Sequence, residues 1–269
     1  MRAQKDHVTD ELTKTAWEKN WQDIRMEEIL EIFSYERVKK QMEIFLRVLP
    51  KKQKILEGGC GLAPYLIRLR QLGYDVEGID YNLAPIQKVL AFDPLLPVRV
   101  GDVLNIPYPD NHFGAYISLG VIEHFTEGPV GAIREAHRVL RPDGVLVLAV
   151  PQNHLFMRAM APLYVLKRNP FLRRLFKKSA EGHYWEQYFK KHELEELLGQ
   201  EGFEVIEIHP LDHTASVLSF SNFLRDKTKY DDVNSRGLAF GRWCEKWLPW
   251  STAAQILFIC LKKGRKGTV

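Results

Sequence analysis

The sequence predicts an α/β protein: a doubly wound, mostly parallel seven-stranded sheet with helical insertions forming a lid. Three observations predict it. Apolar runs alternate with segments of helical period, the pattern of a parallel sheet covered on both faces. The run Ile55-Leu56-Glu57 ends in an acid and passes into a glycine-rich turn, Gly58-Gly59-Cys60-Gly61. After one helical segment, a second run, Val76-Glu77-Gly78-Ile79-Asp80, also ends in an acid. Such a strand–turn–helix–strand unit is one that binds an adenosine-containing cofactor.

Taken in order, residues 9–49 read as helical, with Trp17, Trp21, Ile24, Ile29, Ile32 and Phe33 among the apolar positions. Residues 1–50 are expected as an N-terminal helical cap. Residues 51–269 form the main domain, with insertions at about 152–182 and 212–252. Strands are expected near 53–57, 75–80, 97–101, 113–119, 144–150, 203–209 and 253–261, and helices near 63–73, 83–91, 127–140 and 191–201. In the first of these helices Leu62, Leu66, Leu69 and Leu72 recur at helical spacing. Pro64 suits its first turn, where a missing N–H costs nothing, and Gly73 ends it. Arg141-Pro142-Asp143-Gly144 reads as a turn between a helix and a buried strand.

Composition excludes several classes. The chain has 269 residues, 45% of them hydrophobic, enough for one large domain with a substantial core. No run of eighteen apolar residues is present, so no transmembrane helix is expected. The N-terminus is charged and polar, unlike a secretion signal. Three scattered cysteines show neither metal spacing nor a disulfide framework, which fits a reducing cytoplasm. Cys60, inside the turn, reads as a small packing residue. No internal repeat is visible.

The turn indicates which cofactor. Glu57 sits at its mouth, where a carboxylate would repel a pyrophosphate and suit a cation. S-adenosylmethionine carries a sulfonium and an ammonium and has no phosphate. Counting from Gly59, the last position of the dinucleotide fingerprint falls on Pro64, which fits that pattern badly. A nicotinamide or nucleotide-sugar enzyme is therefore disfavoured. For the turn alone, the alternative is an ordinary βαβ unit with no ligand.

Further motifs carry a resemblance. They are Gly101-Asp102-Val103, Ile122-Glu123-His124, and the run from Arg134-Glu135 through Arg138-Val139-Leu140 to Arg141-Pro142-Asp143-Gly144. With the Glu57 turn and Asp80, the sequence resembles the class I S-adenosylmethionine-dependent methyltransferases, in the small-molecule group that includes ubiquinone and menaquinone biosynthesis enzymes. The resemblance covers roughly residues 50–151, and more loosely 183–210 and the C-terminal strand. Two positions depart from it. Ala63 stands where the turn's third glycine would be, and Gly114 stands where an Asp usually follows Phe.

The resemblance implies roles. Glu57 and the backbone around Gly59 and Gly61 would hold the methionine part of S-adenosyl-L-methionine. Asp80 would accept from both ribose hydroxyls, for which a carboxylate has the lone pairs. Tyr81 would lie along the adenine. Asp102 would accept from the adenine amino group, and the Val103 N–H would meet the ring. Leu119 would offer its carbonyl to the ammonium. The alternative for Asp102 is a turn or cap residue. The resemblance also implies an antiparallel last strand, Ala253–Leu261.

Methyl transfer from a sulfonium needs alignment and exclusion of water more than covalent help. An oxygen or nitrogen nucleophile also needs a base, and histidine suits that near neutral pH. His124 and His154, after the fourth and fifth strands, are the candidates, with His183 and His213 behind them. For each, a structural role is the alternative. A divalent ion held by Glu123 and His124 with Glu127 would have two acids and one His, too thin a ligand set, so no metal site is expected.

Between Leu155 and Lys178 lie seven cations and no acid. Seven against a chain total of +4 leaves −3 elsewhere, so the positive charge is local. Interleaved aromatic and aliphatic residues suggest peripheral contact of 155–178 with an anionic membrane, at the inner surface, or a lid over an acidic substrate. The alternative is an ordinary lid with solvated charges. Phe220, Phe223, Trp243, Trp247 and Trp250 mark the second insertion. Together with the N-terminal helices, the insertions are expected to roof the cofactor. No nucleic-acid-binding module is present, so no nucleic-acid partner is expected. The function expected is methyl transfer from S-adenosyl-L-methionine to a small or amphiphilic, lipid-like acceptor, with O-, N- and C-methylation open. The alternative is a catalytically silent, cofactor-binding regulatory subunit.

Overall fold

The computed structural model describes residues 15, 17, 21, 23–155, 158–159, 186–214, 224 and 233–264. Seven strands form one sheet: β1 Ile55–Gly58, β2 Val76–Asp80, β3 Val98–Val100, β4 Phe113–Leu119, β5 Leu140–Pro151, β6 Phe203–Leu211 and β7 Gln255–Lys262. Their order is β3-β2-β1-β4-β5-β7-β6. The pairs β3–β2, β2–β1, β1–β4 and β4–β5 are parallel, and β7 lies antiparallel to both β5 and β6. The strand order reverses between β1 and β4, and ligands of such sheets bind at the carboxyl ends of the strands beside that reversal.

The strands are apolar throughout because both faces are covered. Alternate residues serve opposite cores: Ile55 one face and Leu56 the other, Ile117 one and Tyr116 the other, Leu257 one and Phe258 the other. The described helices divide accordingly. A 3-10 helix, Met26–Ser34, with α1 (Glu36–Val48), α2 (Pro64–Gln71) and α3 (Leu83–Phe92), packs on the first face. The helices α4 (Val130–Val139) and α5 (Lys191–Gln200) pack on the second. Beyond them lie α6 (Ser235–Trp247) and the short α7 (Pro249–Thr252).

Three local features differ from the sequence reading. The helical stretch before β1 is split: a 3-10 turn runs to Ser34, and an α-helix starts at Glu36. In α1 the buried residues Val38, Gln41, Met42 and Phe45 follow i, i+3, i+4, i+7, so this helix is part of the central core. The Arg141–Gly144 stretch is a bulge inside β5 and not a turn before it. Phe113 pairs with Leu140 and Ala115 with Val145, so four residues stand opposite Gly114 alone. Asp143 absorbs the extra length in a left-handed conformation, φ 60°. Leu72, expected on the apolar face of α2, lies past the helix end and is exposed, while Leu66 and Leu69 are fully buried.

Most of the two expected insertions, including the basic stretch apart from Leu155, Arg158 and Ala159, lies outside the described residues, as does His183. No described helix is long and apolar enough to cross a membrane.

Phe45 is fully buried between the tilted ring of Tyr65 and the sheet. Phe45→Ala is expected to cost about 3–5 kcal/mol of stability, as truncation of a large core aromatic does. Urea denaturation checks this. A loss under 1 kcal/mol would show that α1 is not part of the cooperative core.

Candidate functional site

The site begins where β1 ends. Glu57 lies between β2 and β4, paired with Gly78 and Ile117. Its side chain is buried, and its Oε2 accepts from the Leu66 N–H in the first turn of α2, at 3.0 Å. The turn that follows needs small residues. Gly59 has φ 72°. A Cβ there would sit 2.4 Å from Cγ2 of Val121, on the loop after β4. A Cβ on Gly61, φ 51°, would meet the Trp21 ring at 3.1 Å. Ala63 adopts the left-handed conformation that a third glycine would take more easily, φ 55°. The buried Cys60 packs under the turn, and burial pushes its thiol up, as suits a packing residue.

Asp80 closes β2 and ties the two turns together. Its Oδ2 accepts from the Gly61 N–H at 2.8 Å and its Oδ1 from the Asn82 N–H at 2.9 Å. Asn82 in turn caps α3 by accepting from the Ala84 N–H. Tyr81, between them, is exposed.

Beyond β3, Asp102 is exposed and its Oδ1 accepts from the Leu104 N–H at 2.8 Å, while Val103 is buried. This loop is held from below by α4. The Arg138 guanidinium donates to the carbonyls of Ile106 and Tyr108, each at 2.8 Å, and to Glu135 and Asp110. Glu135 accepts from the Ile106 N–H. The Arg-Glu motif therefore acts on the site through the loop that carries Asp102 and Val103. At Gly114, the space that a side chain would take is filled by Gln53.

After β4 the chain runs Leu119, Gly120, Val121 into a 3-10 turn, Ile122–His124. The His124 ring stands edge-on to Trp17, centroids 5.8 Å apart, and Trp17 stacks on Trp21 at 5.3 Å. Lys88 of α3 donates to the Trp21 carbonyl at 2.8 Å.

These pieces enclose one cavity of about 460 Å³. Glu57, Gly59, Gly61, Asp80, Tyr81, Asp102, Val103 and Leu119 all line it, and so does His124. His154 does not: its ring is buried against the Ser251 carbonyl, Nδ1 to O 3.1 Å. His213 is also buried elsewhere, 3.1 Å from the Thr252 hydroxyl. Glu123 is buried and is not among the residues lining the cavity, and its Oε2 has no partner among the described residues. Two wall residues, Trp17 and Trp21, were legible only as apolar helix positions. Their sequence offers no spacing signal that would join them to a turn forty residues on.

The electrostatics favour a cationic ligand. Burial pushes the Glu57 carboxyl up to about 8, against the hydrogen bond from Leu66. Burial also holds Asp80 above the usual carboxylate range, against its two backbone hydrogen bonds. Neither acid has a Lys or Arg partner among the described residues. A buried acid raised by desolvation regains its charge when a cation arrives. The residues present thus fit a molecule with a cationic end and a vicinal diol, seated on glycines.

An open cavity at a strand-order reversal, with one acid at the end of β1 and another at the end of β2, defines a Rossmann-like cofactor-binding enzyme domain. Residues 26–208 match the family described as a methyltransferase domain, and the chain belongs to that family, within the class I S-adenosylmethionine-dependent methyltransferases. S-adenosyl-L-methionine is the cofactor this membership assigns. Among relatives, the chain is 30% identical over 151 residues to a probable S-adenosylmethionine-dependent methyltransferase of Mycolicibacterium smegmatis, covering 56% of this chain and 52% of that protein. It is 31% identical over 147 residues to the demethylmenaquinone methyltransferase of Staphylococcus epidermidis, covering 51% of this chain and 60% of that one. The chain thus spans about half the length of these curated relatives. Among solved structures, a chain of the Haloferax volcanii complex containing the Trm112 methyltransferase activator matches with TM-score 0.60 and 14% identity, covering 92% of this chain and 98% of that one. At such identity the likeness shows the fold.

The raised acids make stability pH-dependent. Glu57 and Glu123, both pushed up to about 8 by burial, hold their protons more tightly in the folded chain than in the unfolded one. Their contribution is complete below the ordinary value of 4.5 and is lost as pH rises towards 8. The paired Glu207, pulled down to about 2 by Arg47, titrates below this window. The free protein is expected to lose thermal stability across that window, and Glu57→Gln to flatten the loss. A wild-type Tm that is constant over this range would contradict the burial argument.

Proposed function

We propose that this protein transfers a methyl group from S-adenosyl-L-methionine to a small or amphiphilic acceptor. The observation that carries the reading is the convergence of residues from four strand ends, Glu57, Asp80, Asp102 and Leu119, on a single cavity with His124. When bound, the cofactor supplies a methyl group already activated on a sulfonium. The chain's own residues bind and orient. In this reading Glu57 and the turn at Gly59 and Gly61 hold the methionine end. Asp80 accepts from the ribose hydroxyls with the lone pairs that Gly61 and Asn82 leave over. Tyr81, Asp102 and Val103 border the adenine, and the Leu119 carbonyl takes the ammonium.

His124 takes the acceptor's proton in this reading. It borders the cavity beside Trp17, and burial raises the Glu186 carboxyl while the charge of His124 opposes that rise. His154, turned to Ser251, supports packing better than catalysis. An apolar wall of Trp17, Trp21, Ile24 and Ile29 favours an acceptor with an apolar body. The quinone-pathway names of relatives support the same class.

Asp80→Ala should weaken S-adenosylhomocysteine binding roughly ten- to a hundred-fold, because poorly paired hydroxyls cost on the order of 1–3 kcal/mol. Calorimetry reads this directly. Wild-type binding of NAD with no binding of S-adenosylhomocysteine would end the reading.

His124→Ala should lower turnover with cofactor affinity nearly unchanged, because a base acts in the transition state. The assay is release of S-adenosylhomocysteine with demethylmenaquinone and simple phenols as acceptors. Full turnover in the variant would remove His124 from the chemistry. Cofactor binding without turnover on any acceptor is what the silent-subunit reading requires.

A further inference from the structure

We propose that the outer face of α6 and α7 docks on an anionic lipid surface. The helix α6 is built inside out for a surface helix. Its buried positions are small: Gly237, Gly241 and Cys244, at i, i+4 and i+7. A Cβ on Gly241 would lie 2.5 Å from Cγ2 of Thr214, and one on Gly237 would lie 2.7 Å from Cβ of Val233. That face has no room for a large side chain. The aromatic residues therefore stand outward: Trp243 is 51% and Trp247 63% exposed, and Leu248 and Trp250 continue the patch at 41% and 38%.

A surface helix usually turns its large apolar side chains to the core, and exposed apolar residues gathered within eight positions mark a candidate interaction site. The charges identify the partner. Arg242 and Lys246 are exposed on the same helix, and the Lys246 ammonium lies 5.1 Å from the Trp247 ring centre. The ammonium of Lys191 lies 4.6 Å from the Trp250 ring centre. The single acid of α6 and α7, Glu245, is bonded to Lys40 of α1. Tryptophan rings among cations, with the acid's charge offset by Lys40, match a headgroup boundary. The rings enter the boundary, and the cations meet lipid phosphate.

The patch sits at the working end of the sheet. Gln152, immediately after β5, donates to the Trp250 carbonyl at 3.0 Å. The carboxyl ends of β5, β4 and β1 point the same way, so a docked protein would present its cavity end towards the bilayer. This last step rests on the proposed amphiphilic acceptor. The docking itself is measured without cofactor or acceptor, so the two readings fail separately.

The test is co-sedimentation of the full chain with vesicles containing phosphatidylglycerol and with vesicles of phosphatidylcholine alone, at low and high salt. Tryptophan emission is recorded alongside. The expected result is binding to the anionic vesicles that weakens with salt, with a blue shift of emission. Trp243→Ala with Trp247→Ala should reduce partitioning at least about tenfold, and Arg242→Gln with Lys246→Gln should reduce it several-fold, because each engaged cation contributes. The charge variant keeps the test valid if the tryptophan variant folds poorly, and circular dichroism monitors both. Lack of wild-type binding to anionic vesicles would overturn the proposal. Equal binding by the wild type and both variants would overturn it too, and would move attachment to another surface, such as 155–178. Self-association lost in the tryptophan variant, without vesicle binding, would make the patch an interface between copies and would also overturn it.

Discussion

The site depends on one interaction: the buried Asp80 carboxylate shared between the Gly61 and Asn82 amides. Through it, the turn after β1 and the start of α3 are fixed to the same pair of oxygens. It acts together with the Gly59 and Cys60 N–H groups, which donate to the Ile79 carbonyl at 2.8 and 3.0 Å and hold the turn against β2. The arrangement leaves each oxygen one lone pair. A carboxylate that is structurally engaged yet incompletely satisfied has lone pairs left for further donors. Glu57 works similarly through the Leu66 amide, so both helices that cradle the cavity start from an acid in the sheet. The fold positions these acids by burying them, and burial also raises both above their ordinary values.

The sheet and the acids were legible in the sequence because local rules govern them. A strand buried on both faces is apolar throughout, and an acid at its carboxyl end is conspicuous against that run. Glycine at 59 and 61 permits the positive φ found there. The motif from Arg134 to Gly144 was recognisable as a pattern, but its purpose was not. Only the fold shows Arg138 clasping the carbonyls of Ile106 and Tyr108, thirty residues earlier in the chain. The four-residue bulge at Arg141–Gly144 looked like a turn because a proline, an aspartate and a glycine favour both.

What stayed hidden was long-range. Trp17 and Trp21 line the cavity from a segment some forty residues before the glycine turn, and nothing in their sequence neighbourhood says so. His154 and His213 follow strands as a catalytic residue would, yet each turns its ring into packing against α7. Position after a strand fixes where a residue starts and not where its side chain points. In α6 the pattern misled for a different reason. Its tryptophans read as roof residues, since large apolar side chains usually cover something. The glycines opposite them decide the matter, because close backbone approach needs one bare face and sends the bulk to the other.

The strand order has a consequence for how the protein is made. β7, the last of the seven strands in chain order, fills the slot between β5 and β6. While the ribosome is still at work on it, β5 and β6 each have an unpaired inner edge, and the two cores lack Leu257, Ile259 and Phe258. The nascent chain therefore carries two sticky borders from the completion of β6 at Leu211 until β7 is made. Its cofactor half, β1 to β4, can assemble early, but the sheet closes only when its final strand emerges. A truncated transcript or a stalled ribosome would release a species with two open edges, a natural client for chaperones.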